Sequence, residues 1–206
     1  VSQPDQDQAD EGIEDDRLRL IIPLPRDGET AALAPVLAGG RVAALLLPPG
    51  VDPTPARLLG QAHGVAVFAR DDLQQARALD GLLLTEPERT AEMRAGLPPD
   101  KVLGVLCSLD RHEAMEVGEA GADWLLFGRA DREPERAIEL AAWWTELFVL
   151  PCGVTGLIEP SHMATLVSAK IAFALPGPSC WQSADPIRLL SDLDQAVAAA
   201  DPDAVL

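Results

Sequence analysis

Eight short aliphatic runs, each followed by a segment of helical length, organise this chain from residue 18 to its end. Apolar runs of strand length alternating with Ala-rich, charge-patterned segments are the mark of buried parallel strands covered by helices, because parallel strands need crossover connections. The runs predict strands over 18–24, 42–47, 65–69, 81–84, 102–106, 123–127, 148–152 and 171–175. Helical patterns fall at 29–38, 53–62, 72–79, 88–96, 110–120, 134–146 and 160–168, and a last one at 186–199 closes the chain. Eight such units are what a (β/α)8 TIM barrel requires. The rival architecture, an open doubly wound sheet, announces itself with a glycine-rich GxGxxG turn after the first strand, and IIPLPRDGET lacks one. The expectation is an α/β protein whose residues 17–206 form a single TIM-barrel domain.

Local signals agree with that division. Ser108 or Asp110 can cap the fifth helix, and the glycines at 118 and 121 stop it before the sixth strand. Pro160 sits where a proline belongs, in the first turn of the seventh helix. The segment 148–152 is read as the seventh strand, so Gly153 and Gly156 fall in the turn that follows it. Adjacent Trp143 and Trp144 cannot both face the core from one helix, which leaves one partly exposed as an expected homodimer contact.

The first sixteen residues, VSQPDQDQADEGIEDD, carry seven carboxylates against no Lys or Arg and have almost nothing to bury, so residues 1–16 are expected to be a disordered acidic arm. They contain no basic stretch followed by an apolar one, as a signal peptide would. Net charge for the whole chain is −17, which opposes broad contact with nucleic acid or an anionic membrane. No apolar run reaches the length of a membrane span. Three widely spaced cysteines, Cys107, Cys152 and Cys180, form no CxxC pair, so neither a disulfide framework nor a zinc site is indicated and a cytoplasmic location is expected. None of His63, His112 and His162 belongs to an HxH or HExxH pattern.

In a TIM barrel, ligands bind at the carboxyl ends of the strands, and the loops after strands seven and eight commonly cradle phosphate through backbone N–H groups. The polar residues just past each strand are therefore the candidates. They include Arg70 after strand three, Glu86 and Glu88 after four, Arg129 and Arg132 after six, Thr155 and Gly156 after seven, and Gly177 and Ser179 after eight. Guanidinium groups around the mouth of an otherwise acidic protein suit a small phosphorylated or carboxylated ligand. Each candidate also has a plainer role. Gly153 and Gly156 can simply permit a bend; Arg129 and Arg132 can pair with Asp131, Glu133 and Glu135 as a solvated face; Cys107 reads better as an inert buried thiol than as a nucleophile.

The order VLGVLCSLDRHEAMEVGEAGADWLLFG, then VLPCGVTGLIEP, then IAFALPG resembles the second half of the thiamine-phosphate synthases and the related thiazole tautomerases. That resemblance implies a barrel that joins a pyrimidine pyrophosphate to a thiazole phosphate with the help of Mg²⁺, giving thiamine phosphate. It also implies roles for residues here. Arg70 matches the family's arginine after strand three, while the family's metal-binding aspartate is replaced by Ala69. Glu88 falls where the family has a carboxylate after strand four and is the implied metal ligand. Arg129 stands where the tautomerases have histidine, and the family's paired glycines after strand seven survive only in part, as Thr155 and Gly156. Strand two ends in ALLLPPG, with no polar side chain where the family holds pyrophosphate. The implied protein is a degenerate relative whose phosphate site comprises Arg70, Arg129, Thr155, Gly156, Gly177 and Ser179. Two further readings stand beside synthase chemistry: a non-catalytic barrel that binds or senses a phosphate ligand, and an isomerisation with Glu86 or Glu88 as base.

Overall fold

The structure is a computed structural model and describes residues 17–201; the expected acidic arm lies outside the described residues. Eight parallel strands close into a barrel in chain order: β1 (Arg19–Pro23), β2 (Val42–Leu47), β3 (Ala66–Arg70), β4 (Gly81–Leu84), β5 (Val102–Cys107), β6 (Trp124–Gly128), β7 (Cys152–Gly156) and β8 (Phe173–Pro176). Closure comes from the pairing of Arg19 with Phe173 and of Leu20 with Ala174. The surrounding helices are α1 (Ala34–Leu37), α2 (Thr54–His63), α3 (Leu73–Ala76), α4 (Thr90–Gly96), α5 (Arg111–Glu119), α6 (Glu135–Leu147), α7 (Met163–Ser168) and α8 (Pro186–Ala200). The α/β TIM-barrel expectation is met.

Side-chain alternation along each strand creates two apolar layers. One face, including Leu20, Ile22, Leu45, Leu47, Val67 and Ala69, packs against the helices. The other, including Ile21, Leu46, Phe68, Trp124, Leu126 and Leu175, fills the barrel interior. Rings dominate that interior: Trp124 stacks on Phe68 at 6.4 Å and meets Phe173 edge-on at 5.1 Å.

The helix starts follow from short carboxylates. Asp72 accepts from the N–H of Gln75 at 3.0 Å, Asp110 from those of His112 and Glu113 at 2.8 and 3.0 Å, and Asp185 from that of Arg188 at 3.0 Å. Each satisfies donors that the first helical turn leaves open. At the far end of α2, Gly64 takes the left-handed conformation, φ 67°, that turns the chain into β3.

Strand seven departs from the sequence reading. The strand is CGVTG, not FVLPC, so Gly153 and Gly156 lie inside β7 rather than in a turn after it. The apolar residues before it follow the end of α6 without forming a strand: Phe148 stacks on Trp144 at 4.0 Å, and Val149 is fully exposed. Glycine is required in the strand because Gly153 faces the interior, where an added Cβ would stand 2.8 Å from that of Phe173. Of the tryptophan pair, Trp144 is buried and Trp143 half-buried, with the guanidinium of Arg111 4.3 Å from the Trp143 ring centre. Among the described residues no helix is long and apolar enough to cross a membrane.

Candidate functional site

Two inward-facing columns end in polar side chains at the carboxyl mouth. On β3 the column runs Ala66, Phe68, Arg70, and on β7 it runs Gly153, Thr155. Arg70 is half-exposed, and its guanidinium has no hydrogen-bond or ion-pair partner among the described residues. Thr155 is 3% exposed, and its hydroxyl likewise has no partner among them. An unengaged cation and an unengaged hydroxyl thus stand at the carboxyl ends of strands on opposite sides of the barrel.

The glycines at this end seat a loop. After β6 the chain passes over the ends of β7 and β8, where the N–H of Leu157 donates to the carbonyl of Arg132 at 2.8 Å and that of Gly177 to the carbonyl of Gly156 at 2.9 Å. A Cβ at Gly156 would lie 2.6 Å from the Arg132 carbonyl oxygen, and one at Gly177 would collide with that of Ala130. Backbone carbonyls therefore crowd these glycines, which explains their presence without any ligand. Arg129 and Arg132 are both largely exposed on this loop and share Asp131 at 3.4 and 3.8 Å. Ser179 is exposed in the tight turn Pro178–Gln182, which is tied to β1 by the Trp181 indole N–H donating to the Pro23 carbonyl at 2.7 Å.

Glu88 lies elsewhere. It is exposed in the turn Pro87–Arg89 and lines a groove of about 320 Å³ between α4 and α5, together with Glu113 and Glu116. Its neighbour Glu86 is paired with Arg89 at 2.9 Å. Ala69, at the position of the family's metal aspartate, is wholly buried against the helix layer. Among the described residues no three His, Cys, Asp or Glu side chains are placed to hold a metal ion together. Mg²⁺ ordinarily takes only one or two protein carboxylates together with water and substrate phosphates, and with Ala69 at the family's aspartate position Glu88 is the one carboxylate of the implied pair that this chain keeps.

A residue that the sequence reading passed over, Asp71, sits beside Arg70 and is paired with Thr85, a candidate after strand four. Asp71 adopts a left-handed backbone, φ 54°, and its carboxylate accepts from the Thr85 N–H at 2.7 Å and from the Thr85 hydroxyl at 2.8 Å. The available signal was the doubled aspartate, of which only Asp72 is needed to cap α3. Burial disfavours the thiolate: it pushes Cys107 up to about 12, helped by the Glu113 charge, and likewise takes Cys152 to about 12 and Cys180 to about 11. His162 is used structurally, its Nδ1 accepting the Glu159 N–H at 3.0 Å.

Residues 54–174 match the family model described as thiamine monophosphate synthase. The chain belongs to that family. A thiamine-phosphate synthase of Rhodospirillum centenum is 32% identical over 205 residues, covering 89% of this chain and 98% of the relative. One from Erythrobacter litoralis is 31% identical over 157 residues, covering 70% and 73%. Among solved structures, a thiamine phosphate pyrophosphorylase from Pyrococcus furiosus superposes with a TM-score of 0.71 at 19% identity, over 88% of this chain and 96% of that one. In a barrel of this type ligands bind at the carboxyl ends of the strands, and here Arg70 and Thr155 stand at that end while Arg129, Ser179 and Glu88 lie exposed on the loops beyond it.

Proposed function

We propose that this barrel binds a small phosphorylated molecule of the thiamine-precursor class at its carboxyl mouth. Arg70 is the principal anion contact, and Thr155 with the backbone at Gly156, Gly177 and Ser179 forms the facing wall. The observation that carries this reading is the unpartnered Arg70 guanidinium at the end of an inward-facing column, in a chain of net charge −17. A cation left unpaired among so many carboxylates gains most from an anionic ligand. With a pyrimidine pyrophosphate and a thiazole phosphate as substrates, the transfer would form the bond between thiazole nitrogen and pyrimidine methylene and release pyrophosphate.

A second reading, a barrel that binds the phosphate ligand without catalysing transfer, is favoured by strand two. Leu46 and Leu47 are buried there, and Pro48, Pro49 and Gly50 offer no side-chain donor to pyrophosphate. Free buried thiols at Cys107, Cys152 and Cys180 suit a reducing cytoplasm in either case.

The test is titration calorimetry of the purified protein with pyrophosphate, thiazole phosphate and thiamine phosphate, each with and without Mg²⁺. At least one should bind, and Arg70→Ala should weaken it by roughly 10- to 100-fold, the scale of a charge-assisted hydrogen bond. No binding of any of the three overturns the reading. Release of pyrophosphate from the two precursors separates the synthase from the binding protein. Mg²⁺-dependent binding that survives Glu88→Gln removes the metal role implied for Glu88.

A further inference from the structure

The residue after Arg70 is fastened to the next strand by three hydrogen bonds. The Asp71 N–H donates to the Leu83 carbonyl at 3.0 Å, and its two carboxylate oxygens accept from the N–H and hydroxyl of Thr85 at 2.7 and 2.8 Å. Asp71 makes this double acceptance from a left-handed backbone, φ 54°, a conformation that aspartate tolerates better than most residues other than glycine and asparagine.

This arrangement has two effects on Arg70. It fixes the backbone immediately beyond the arginine against β4, so the guanidinium departs from a rigid strand end rather than from a free loop. It also engages both oxygens of the nearest carboxylate in sequence with Thr85, and no ion pair forms between Asp71 and Arg70. A carboxylate free to turn would neutralise the arginine and compete with an anionic ligand for it.

We propose that Asp71, with Thr85, is a positioning residue for the anion site, acting through Arg70. The proposal rests on the reading of Arg70 as the anion contact. Substituting Asp71 by asparagine should preserve the clamp, because the amide oxygen can accept the Thr85 N–H and the amide nitrogen can donate to the Thr85 hydroxyl. Glycine keeps the backbone conformation and removes the clamp, which makes it the variant of choice should Asp71→Ala fold poorly.

The experiment measures pyrophosphate affinity by calorimetry for the wild type, Asp71→Asn, Asp71→Gly, Thr85→Val, Arg70→Ala and the Arg70→Ala/Asp71→Gly double variant. Asp71→Gly and Thr85→Val should each weaken binding by about fivefold or more, Asp71→Asn should stay within about twofold, and the double variant should bind no worse than Arg70→Ala alone. A merely structural role would lower stability in both backgrounds without that non-additivity. Wild-type affinity in Asp71→Gly, or fully additive losses in the double variant, overturns the positioning role while leaving the Arg70 site intact. Absence of pyrophosphate binding by the wild type overturns the anion site itself and this role with it.

Discussion

The indole of Trp124 occupies the space in front of Gly104, its partner across the β5–β6 register, so closely that a methyl group on Gly104 would overlap the ring. The same device recurs around the interior. Gly81 lies against the Phe68 ring, where a Cβ would come within 2.9 Å of it, and Gly153 lies against Phe173. Two of these glycines make way for rings, while Gly153 is crowded by the Cβ and carbonyl oxygen of Phe173. Gly104→Ala should destabilise the protein by about 1–3 kcal/mol through overpacking, read as a lower urea midpoint at unchanged slope. Adding Trp124→Phe to that variant should recover part of the loss, because the smaller ring vacates the contested space. No recovery would mean that the two positions are not coupled.

That packing also explains what the sequence could and could not disclose. The strands at 42–47 and 81–84 were legible to the residue, since VAALLL and GLLL are unbroken runs bounded by turn residues. Strand seven was not, because its interior column contains Gly153, whose small size is dictated by Phe173 twenty residues later. A local reading takes CGVTG for a bend and the neighbouring FVLP for a strand. The mouth was legible in the same uneven way. Arg70 could be placed at a strand end by period alone, but whether Arg129 and Glu88 face the axis depends on loop paths that no periodicity encodes. The Asp71 clamp needed a positive φ and a cross-strand neighbour, both invisible in one dimension.

Arg41, just before β2, reaches Asp194 on α8 at 2.6 Å, and the carboxylate side chain is only 8% exposed. A second contact from Nε at 3.2 Å makes the pairing two-pronged. Removing the arginine strands a buried charge, the situation in which loss of one partner is most costly. Arg41→Met should therefore destabilise by about 2–4 kcal/mol in urea unfolding, and Arg41→Met with Asp194→Leu should be milder than the single change. A single variant of wild-type stability would show that water already serves the carboxylate.

Thiol chemistry gives a pH-dependent test. Burial raises Cys107 and Cys152 from an ordinary value of 9.0 to about 12, and Cys180 to about 11, so the folded chain keeps them protonated where the unfolded chain ionises them. The unfolded state then binds fewer protons, and stability falls as pH rises. The contribution is fully present below pH 9 and is lost progressively as pH climbs towards 12. The urea midpoint should drop between pH 8.5 and pH 10.5, and less so in Cys152→Ala once its own packing cost is subtracted; these pH values are roughly chosen to bracket the thiol range. Iodoacetamide at neutral pH should label none of the three thiols in the native protein and all of them in urea, and rapid native labelling at Cys107 would contradict its burial.

Gly177 separates space from strain. Its backbone is ordinary, φ −62°, so alanine would cost nothing conformationally, yet a Cβ would collide with the Ala130 carbonyl of the loop after β6. Gly64 is the reverse case, a left-handed residue at φ 67° with nothing within 4 Å of an added Cβ. Gly64→Ala should cost about 1 kcal/mol of strain and leave ligand affinity unchanged. Gly177→Ala should cost about 1–3 kcal/mol and, because the displaced loop lies over the ends of β7 and β8, should also weaken phosphate-ligand binding. The same argument fixes the control. If the loop is firmly seated through the Leu157 N–H and Arg132 carbonyl, hydrogen exchange at Leu157 should accelerate in Gly177→Ala and not in Gly64→Ala. Equal exchange in the two variants would show that the loop yields to the methyl group without opening, and the glycine would then be a matter of local fit alone.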